Sequence, residues 1–180
     1  RFLIAANDAF VRSIQSIGYK SSGSAGADII DNSVEANATK ICVDIVSGKN
    51  GLAEQIIYGD NGIGMEPTLI RYGMTFGGTD RENSSDLFGR FGFGMPAACM
   101  SQGNRMTVIS REEDQEIYIN TFDLSECSEG KYTDDNGVMC MPEPSVLKEL
   151  PNNLQKLADE YLDGFKSGTF VIMDQLNSHS

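Results

Sequence analysis

Between residues 24 and 45 the chain reads SAGADIIDNSVEANATKICVDI, and its polar positions change period partway. Over the first half, Asp28, Asn32 and Glu35 recur at i, i+4 and i+7, which places them on one helix face with Asp31 at its edge. After Lys40 the pattern becomes β-branched and alternating. KICVDIVSG and EQIIYGD, separated by the Gly/Asn-rich turn SGKNG, predict two strands of a hairpin. Upstream, residues 3–17 (LIAANDAFVRSIQSI) carry apolar positions at helical spacing and predict an amphipathic helix ending near Gly18. Downstream, residues 66–74 predict a short helix, followed by FGGTDRENSSDLFGRFGFG, a polar, glycine-rich segment without apolar period. A small-residue helix (MPAACMSQ) and strands near RMTVIS, QEIYINTF and GVMCM come next. The chain then predicts a helix at NNLQKLADEYL and a last strand, GTFVIMDQL.

Consecutive strands joined by short turns favour antiparallel pairing, whereas a doubly wound parallel sheet would alternate strand and helix throughout. The expected fold is a two-layer α/β sandwich, with helices on one face of a mixed, mostly antiparallel sheet. No internal repeat and no linker divides the chain, so residues 1–180 are read as one domain.

Composition narrows the chemistry. With 180 residues, 40% of them apolar, the chain can bury roughly 70% of the surface its unfolded form exposes. A net charge of −12 without a dense Lys/Arg run predicts repulsion of nucleic-acid phosphate and anionic lipid. His179 is the single histidine, one residue from the end, which argues against His-dependent triads and His-ligated metals. Cys42, Cys99, Cys127 and Cys140 form no CxxC pair and lie in or beside apolar segments, so free buried thiols in a reducing cytoplasm are expected. The start at Arg1 and the polar end LNSHS suggest a fragment of a longer protein, and no apolar run reaches the ~18 residues a membrane span needs.

Three further signatures involve glycine: Asp60-Asn61-Gly62-Ile63-Gly64-Met65, then Gly89-Arg90-Phe91-Gly92-Phe93-Gly94, then Gly168-Thr169. Each alone is compatible with turn chemistry. A Walker A loop is absent. Gly92, Gly94 and Ala97 spell GxGxxA, but a dinucleotide fingerprint must follow a buried strand, and here it follows TDRENSSDLFGRF.

The four motifs in this order resemble the GHKL superfamily of ATP-binding domains, found in gyrases, heat-shock chaperones, histidine kinases and MutL-type proteins. The resemblance spans about residues 5 to 173. The first motif corresponds to Asp28-Ile-Ile-Asp31-Asn32-Ser-Val-Glu35-Ala36, the second to Asp60, Gly62 and Gly64, the third to Gly89, Gly92 and Gly94, and the fourth to Gly168-Thr169. The resemblance implies a Bergerat-type fold and a pocket for ATP and Mg²⁺. In it, Asn32 would ligate the metal and Asp28 would be the general base for the attacking water. It further implies that Asp60 accepts a hydrogen bond from the adenine amine, supported by Thr169 through its hydroxyl and a water. A buried carboxylate in that role discriminates adenine from guanine, because the wrong base leaves the charge unpaired. Met65 and Ile63 would supply apolar walls. Gly62, Gly64, Gly89, Gly92 and Gly94 would let backbone amides approach base and phosphates. Residues 76–93 would be the ATP lid.

The family's first motif usually begins with Glu, and Asp28 is one methylene shorter. General acid–base help contributes about 10²- to 10⁴-fold and depends on hydrogen-bond reach, so slow ATP hydrolysis is expected. Asp31 is the alternative base. A γ-phosphate lysine is not evident: Pro96 stands where some relatives carry Lys, and Arg81 and Arg90 fall in the lid. DNSVEANATKI is closer to MutL, MORC and chaperone-like relatives than to histidine kinases, whose motif typically reads NLLxNAxK. The competing readings are a nucleotide-gated clamp or sensor with negligible hydrolysis and, lower, a histidine kinase. The resemblance also implies nucleotide-dependent homodimerisation in a longer protein.

Overall fold

The computed structural model describes residues 21–76, 94–149 and 152–177. The helix predicted at 3–17, Gly89, Gly92 and all of the expected lid except Phe76 lie outside the described residues.

The acid-lined stretch is helical: α1 spans Ser22–Glu35. Its start is set by Ser21, whose hydroxyl accepts a hydrogen bond from the Ser24 amide at 3.2 Å. Its end is set by Asn37, whose left-handed φ of 58° stops the helix. The predicted hairpin follows, with β1 (Ile41–Ser47) and β2 (Ala53–Asp60) paired from Ile41↔Asp60 to Ser47↔Ala53. Next come α2 (Pro67–Gly73) and α3 (Gly94–Gln102), β3 (Gly103–Arg111) and β4 (Tyr118–Asp123). A short α4 (Leu124–Ser128), β5 (Ser145–Val146), a 3₁₀ turn (Leu147–Glu149), α5 (Asn152–Leu162) and β6 (Gly168–Leu176) complete the described chain.

The sheet order is β1-β2-β6-β3-β4-β5, and every pairing is antiparallel. The last strand therefore enters the middle of the sheet. Residues directly opposite one another in an antiparallel ladder share a face. The pairs Asp60↔Thr169 and Thr169↔Ser110 thus put three polar side chains on one face, at one end of β2, β6 and β3. Farther along that face Tyr58, Val171, Val108, Met106, Met173 and Phe122 form the main core, which packs against residues from α1, α2 and α3.

Three expectations need correction. Helices are not confined to one face: Ala158 and Leu162 of α5 and Leu147 of the 3₁₀ turn pack on Ile57, Phe170, Ile172, Ile109 and Ile119 of the opposite face. The strand expected at GVMCM is a single bridge, Thr133↔Met139. Asp134 prevents a longer ladder there, because its carboxylate accepts from the Asn136 and Val138 amides, both at 2.9 Å, and folds the segment into a tight loop. Cys99 and Cys127 are buried free thiols and Cys140 is half-buried, whereas Cys42 is exposed because β1 is an edge strand. At the sheet centre, Arg105 makes a two-pronged pair with Asp174, at 2.6 and 2.8 Å. Among the described residues no helix is long and apolar enough to cross a membrane.

Candidate functional site

At the polar end of the main face, β2 delivers Asp60 with only 8% of its surface exposed. Its Oδ2 accepts the Ser33 hydroxyl and its Oδ1 the Gly62 amide, both at 2.8 Å. Burial pushes the Asp60 pKa upward, and hydrogen bonds from Gly62, Ser33 and the Thr169 backbone oppose that shift. The result is a fixed, poorly hydrated acceptor tied to α1.

The turn after Asp60 explains its glycines. A side chain at Gly62 would come within 2.7 Å of the Ala36 carbonyl oxygen, because the turn packs directly against the end of α1. Gly64 has φ +76°, and a Cβ there would overlap the Arg111 carbonyl. Three hydrogen bonds hold this turn: Ile63 amide to Ala36 oxygen at 3.0 Å, Ser167 hydroxyl to Gly62 oxygen at 2.7 Å, and Met65 amide to Ser110 Oγ at 2.9 Å. Ser110 Oγ also lies 2.8 Å from Thr169 Oγ1.

Asn32, Ser33, Asp60, Met65 and Thr169 line one cavity enclosing about 490 Å³ of empty space, part of it open to solvent. A few convergent polar groups on an apolar wall match the usual chemistry of small-molecule sites. Ile29, Tyr58, Met95 and Val171 form the apolar wall. Ile63 does not contribute to it: 47% exposed, it points away.

On α1, Asp28 and Asn32 are half-buried, while Asp31 and Glu35 are exposed. The helix therefore turns only its first two polar positions inward. Asp28 lies one turn before Asn32, outside the cavity wall, with its carboxylate against the first residue of α3. A Cβ added to Gly94 would sit 3.2 Å from Asp28 Oδ2. Gly94, the first described residue of α3, therefore packs beside the Asp28 carboxylate. Sequence reasoning missed Ser33 and Ser110. Ser33 shares the buried stripe of Ala25, Ile29 and Ala36, and Ser110 ends a predicted strand, but its partner Thr169 becomes visible only with the register.

The donors available suit one kind of metal. Among the described residues no group of three or more His, Cys, Asp or Glu side chains forms a protein cage. One amide oxygen from Asn32 fits Mg²⁺, which retains waters and is held largely by substrate phosphates.

Residues 19–150 match a family profile described as histidine kinase-, DNA gyrase B-, and HSP90-like ATPase. The chain belongs to this family, the GHKL ATPases, and is an ATP-binding module of the ATPase type. Among the proteins it is similar to are three from Arabidopsis thaliana. It is 31% identical over 96 residues to Protein MICRORCHIDIA 4, covering 52% of this chain and 12% of that protein. Over 101 residues it is 30% identical to Protein MICRORCHIDIA 6, covering 54% of the chain and 15% of the relative. Over 119 residues it is 29% identical to Protein MICRORCHIDIA 5, covering 61% and 17% respectively. The chain therefore spans less than a fifth of the length of these relatives.

Proposed function

We propose that this chain binds Mg²⁺–ATP in the cavity between α1 and the ends of β2 and β6, and hydrolyses it slowly to drive conformational change in a larger protein. The observation that carries this reading is that Asn32 and Asp60, separated by a helix end and a hairpin, line the same cavity. Asp60 accepts from the adenine amine, and Thr169 stands beside it in the register. Met65, Tyr58 and Val171 cover the base with apolar surface. Asn32 holds Mg²⁺ through its amide oxygen, and the ion, when bound, neutralises phosphate charge. Asp28, about 6 Å along the helix from Asn32, accepts the proton of the attacking water.

Asp28 supports the slow-turnover form of the reading. Its short side chain rests against Gly94, so reach toward a water is limited. The same feature favours the second reading, a nucleotide-gated clamp with negligible hydrolysis. The four free thiols support the expected reducing compartment. Nucleotide-dependent closure over the cavity and pairing of two copies complete the proposal for the longer protein.

Equilibrium ATP binding measured beside phosphate release tests it. Slow release that Asp28→Asn abolishes while ATP still binds supports the ATPase. Tight binding with release no higher than in Asn32→Ala supports the clamp. Undiminished release in Asp28→Asn refutes Asp28 as the base. Absence of ATP binding by the unaltered protein refutes both readings.

A further inference from the structure

We propose that Ser110 is a specificity-positioning residue: it orients the Thr169 hydroxyl so that only lone pairs face the ligand, making this end of the cavity select an exocyclic amine. The inference rests on the nucleotide-binding reading above and concerns a residue that lies behind the cavity wall.

A serine hydroxyl has one proton and two lone pairs. Ser110 is fully buried, and its Oγ has three partners. The Met65 amide donates to it at 2.9 Å, which occupies one lone pair. The Gly168 carbonyl, 3.1 Å away, can only accept, and the Ser110 proton is assigned to it. The remaining contact is Thr169 Oγ1 at 2.8 Å. With its proton already committed, Ser110 can only accept, and Thr169 must donate. The Thr169 proton is thereby spent on Ser110, so a ligand group that meets this hydroxyl in the cavity Thr169 lines finds only lone pairs.

Asp60 has the same polarity. Its carboxylate accepts from Ser33, Gly62 and the Thr169 backbone, and, ionised, it can offer only lone pairs to a ligand in the cavity it lines. Two acceptor-only groups side by side complement the two N–H bonds of a 6-amino group. They oppose a 6-oxo group, because each lone pair that meets a carbonyl oxygen remains unpaired and buried. Thr169 acts on the base, and Ser110 acts through Thr169.

The test compares dissociation constants for ATP and inosine triphosphate, which differs in carrying oxygen where adenine carries the amine. Calorimetric titration of the protein with Mg²⁺ present gives both. Thr169→Val, which removes the hydroxyl at nearly constant shape, should weaken ATP by about fivefold and leave inosine triphosphate unchanged or tighter. Ser110→Ala frees the Thr169 proton to turn into the cavity, so the preference for ATP should fall by about fivefold or more. That fall should vanish when Ser110→Ala is made in the Thr169→Val background. A purely structural Ser110 would weaken both nucleotides alike and leave the ratio fixed, which overturns the inference. Loss of inosine triphosphate affinity rather than ATP affinity in Thr169→Val also overturns it, and needs no altered Ser110. If the unaltered protein binds neither nucleotide, the nucleotide reading fails too; if it binds ATP with the ratios unmoved, only the role of Ser110 fails.

Discussion

Replacing Asp60 by asparagine separates base recognition from folding. The amide keeps the Gly62 contact through its oxygen, which leaves its nitrogen facing the Ser33 hydroxyl. Ser33 can adapt by accepting from that nitrogen and turning its own proton toward the Ile29 carbonyl, 3.5 Å away. The second amide proton then points into the cavity, where the native residue offered a lone pair. Folding loses a charge-assisted hydrogen bond worth about 1.5–3 kcal/mol. It also loses a buried charge whose desolvation is the largest influence on the Asp60 pKa, so the two effects oppose. The net change in stability should stay under about 1.5 kcal/mol, a few degrees in Tm. Binding has no such compensation. An amine meeting an amide proton forfeits the charge-assisted bond, so the ATP dissociation constant should rise about 10- to 100-fold. Calorimetric titration with ATP and Mg²⁺, beside thermal melting of the nucleotide-free variant, measures both numbers. A folded Asp60→Asn protein that binds ATP within about threefold of the unaltered one would refute the reasoning.

Other outcomes follow from the same geometry. Burial raises the Asp60 pKa, so its protonated form is favoured in the folded protein. Its stabilising contribution is therefore present at acid pH and lost as pH rises through the raised value, whereas base recognition needs the carboxylate. ATP affinity should accordingly fall on acidification at a pH above the ordinary aspartate range, and titrations across pH should show no such inflection in Asp60→Asn. Gly64→Ala forces a side chain into a φ of +76° and onto the Arg111 carbonyl, so it should lower stability by about 2 kcal/mol or more and Tm by at least about 5 °C in a melting experiment. Cys42, exposed on the edge strand, should react first with a thiol reagent, followed by Cys140, with buried Cys99 and Cys127 labelled only on unfolding. Mass spectrometry of the modified peptides reads that order.

Local chemistry made much of this legible. The helical spacing of Asp28 and Asn32, the hairpin around SGKNG and the Asp60–Gly64 turn each follow from residues adjacent in sequence, and the structure places all three as expected. What escaped depends on register and topology. β6 lies at the centre of the sheet, between β2 and β3, and no run of neighbouring residues encodes that insertion. The opposite face of the sheet carries Ile57, Phe170 and Ile172 and therefore needs a covering helix. The alternating pattern of those strands is compatible with either burial, and among the described side chains of α5 it is Ala158, Tyr161 and Leu162 that pack there. GVMCM is apolar enough for a strand, but the Asp134 carboxylate takes the Val138 amide. Ser33 and Ser110 are ordinary serines in sequence. Their role comes from partners 27 and 59 positions away.

The most direct test of the central claim is a crystal structure of the protein with Mg²⁺ and a non-hydrolysable ATP analogue. The account predicts the adenine amine within hydrogen-bond distance of Asp60, Mg²⁺ ligated by the Asn32 amide oxygen, and the phosphates toward Gly94. A nucleotide bound elsewhere, or one whose base does not meet Asp60, would contradict it.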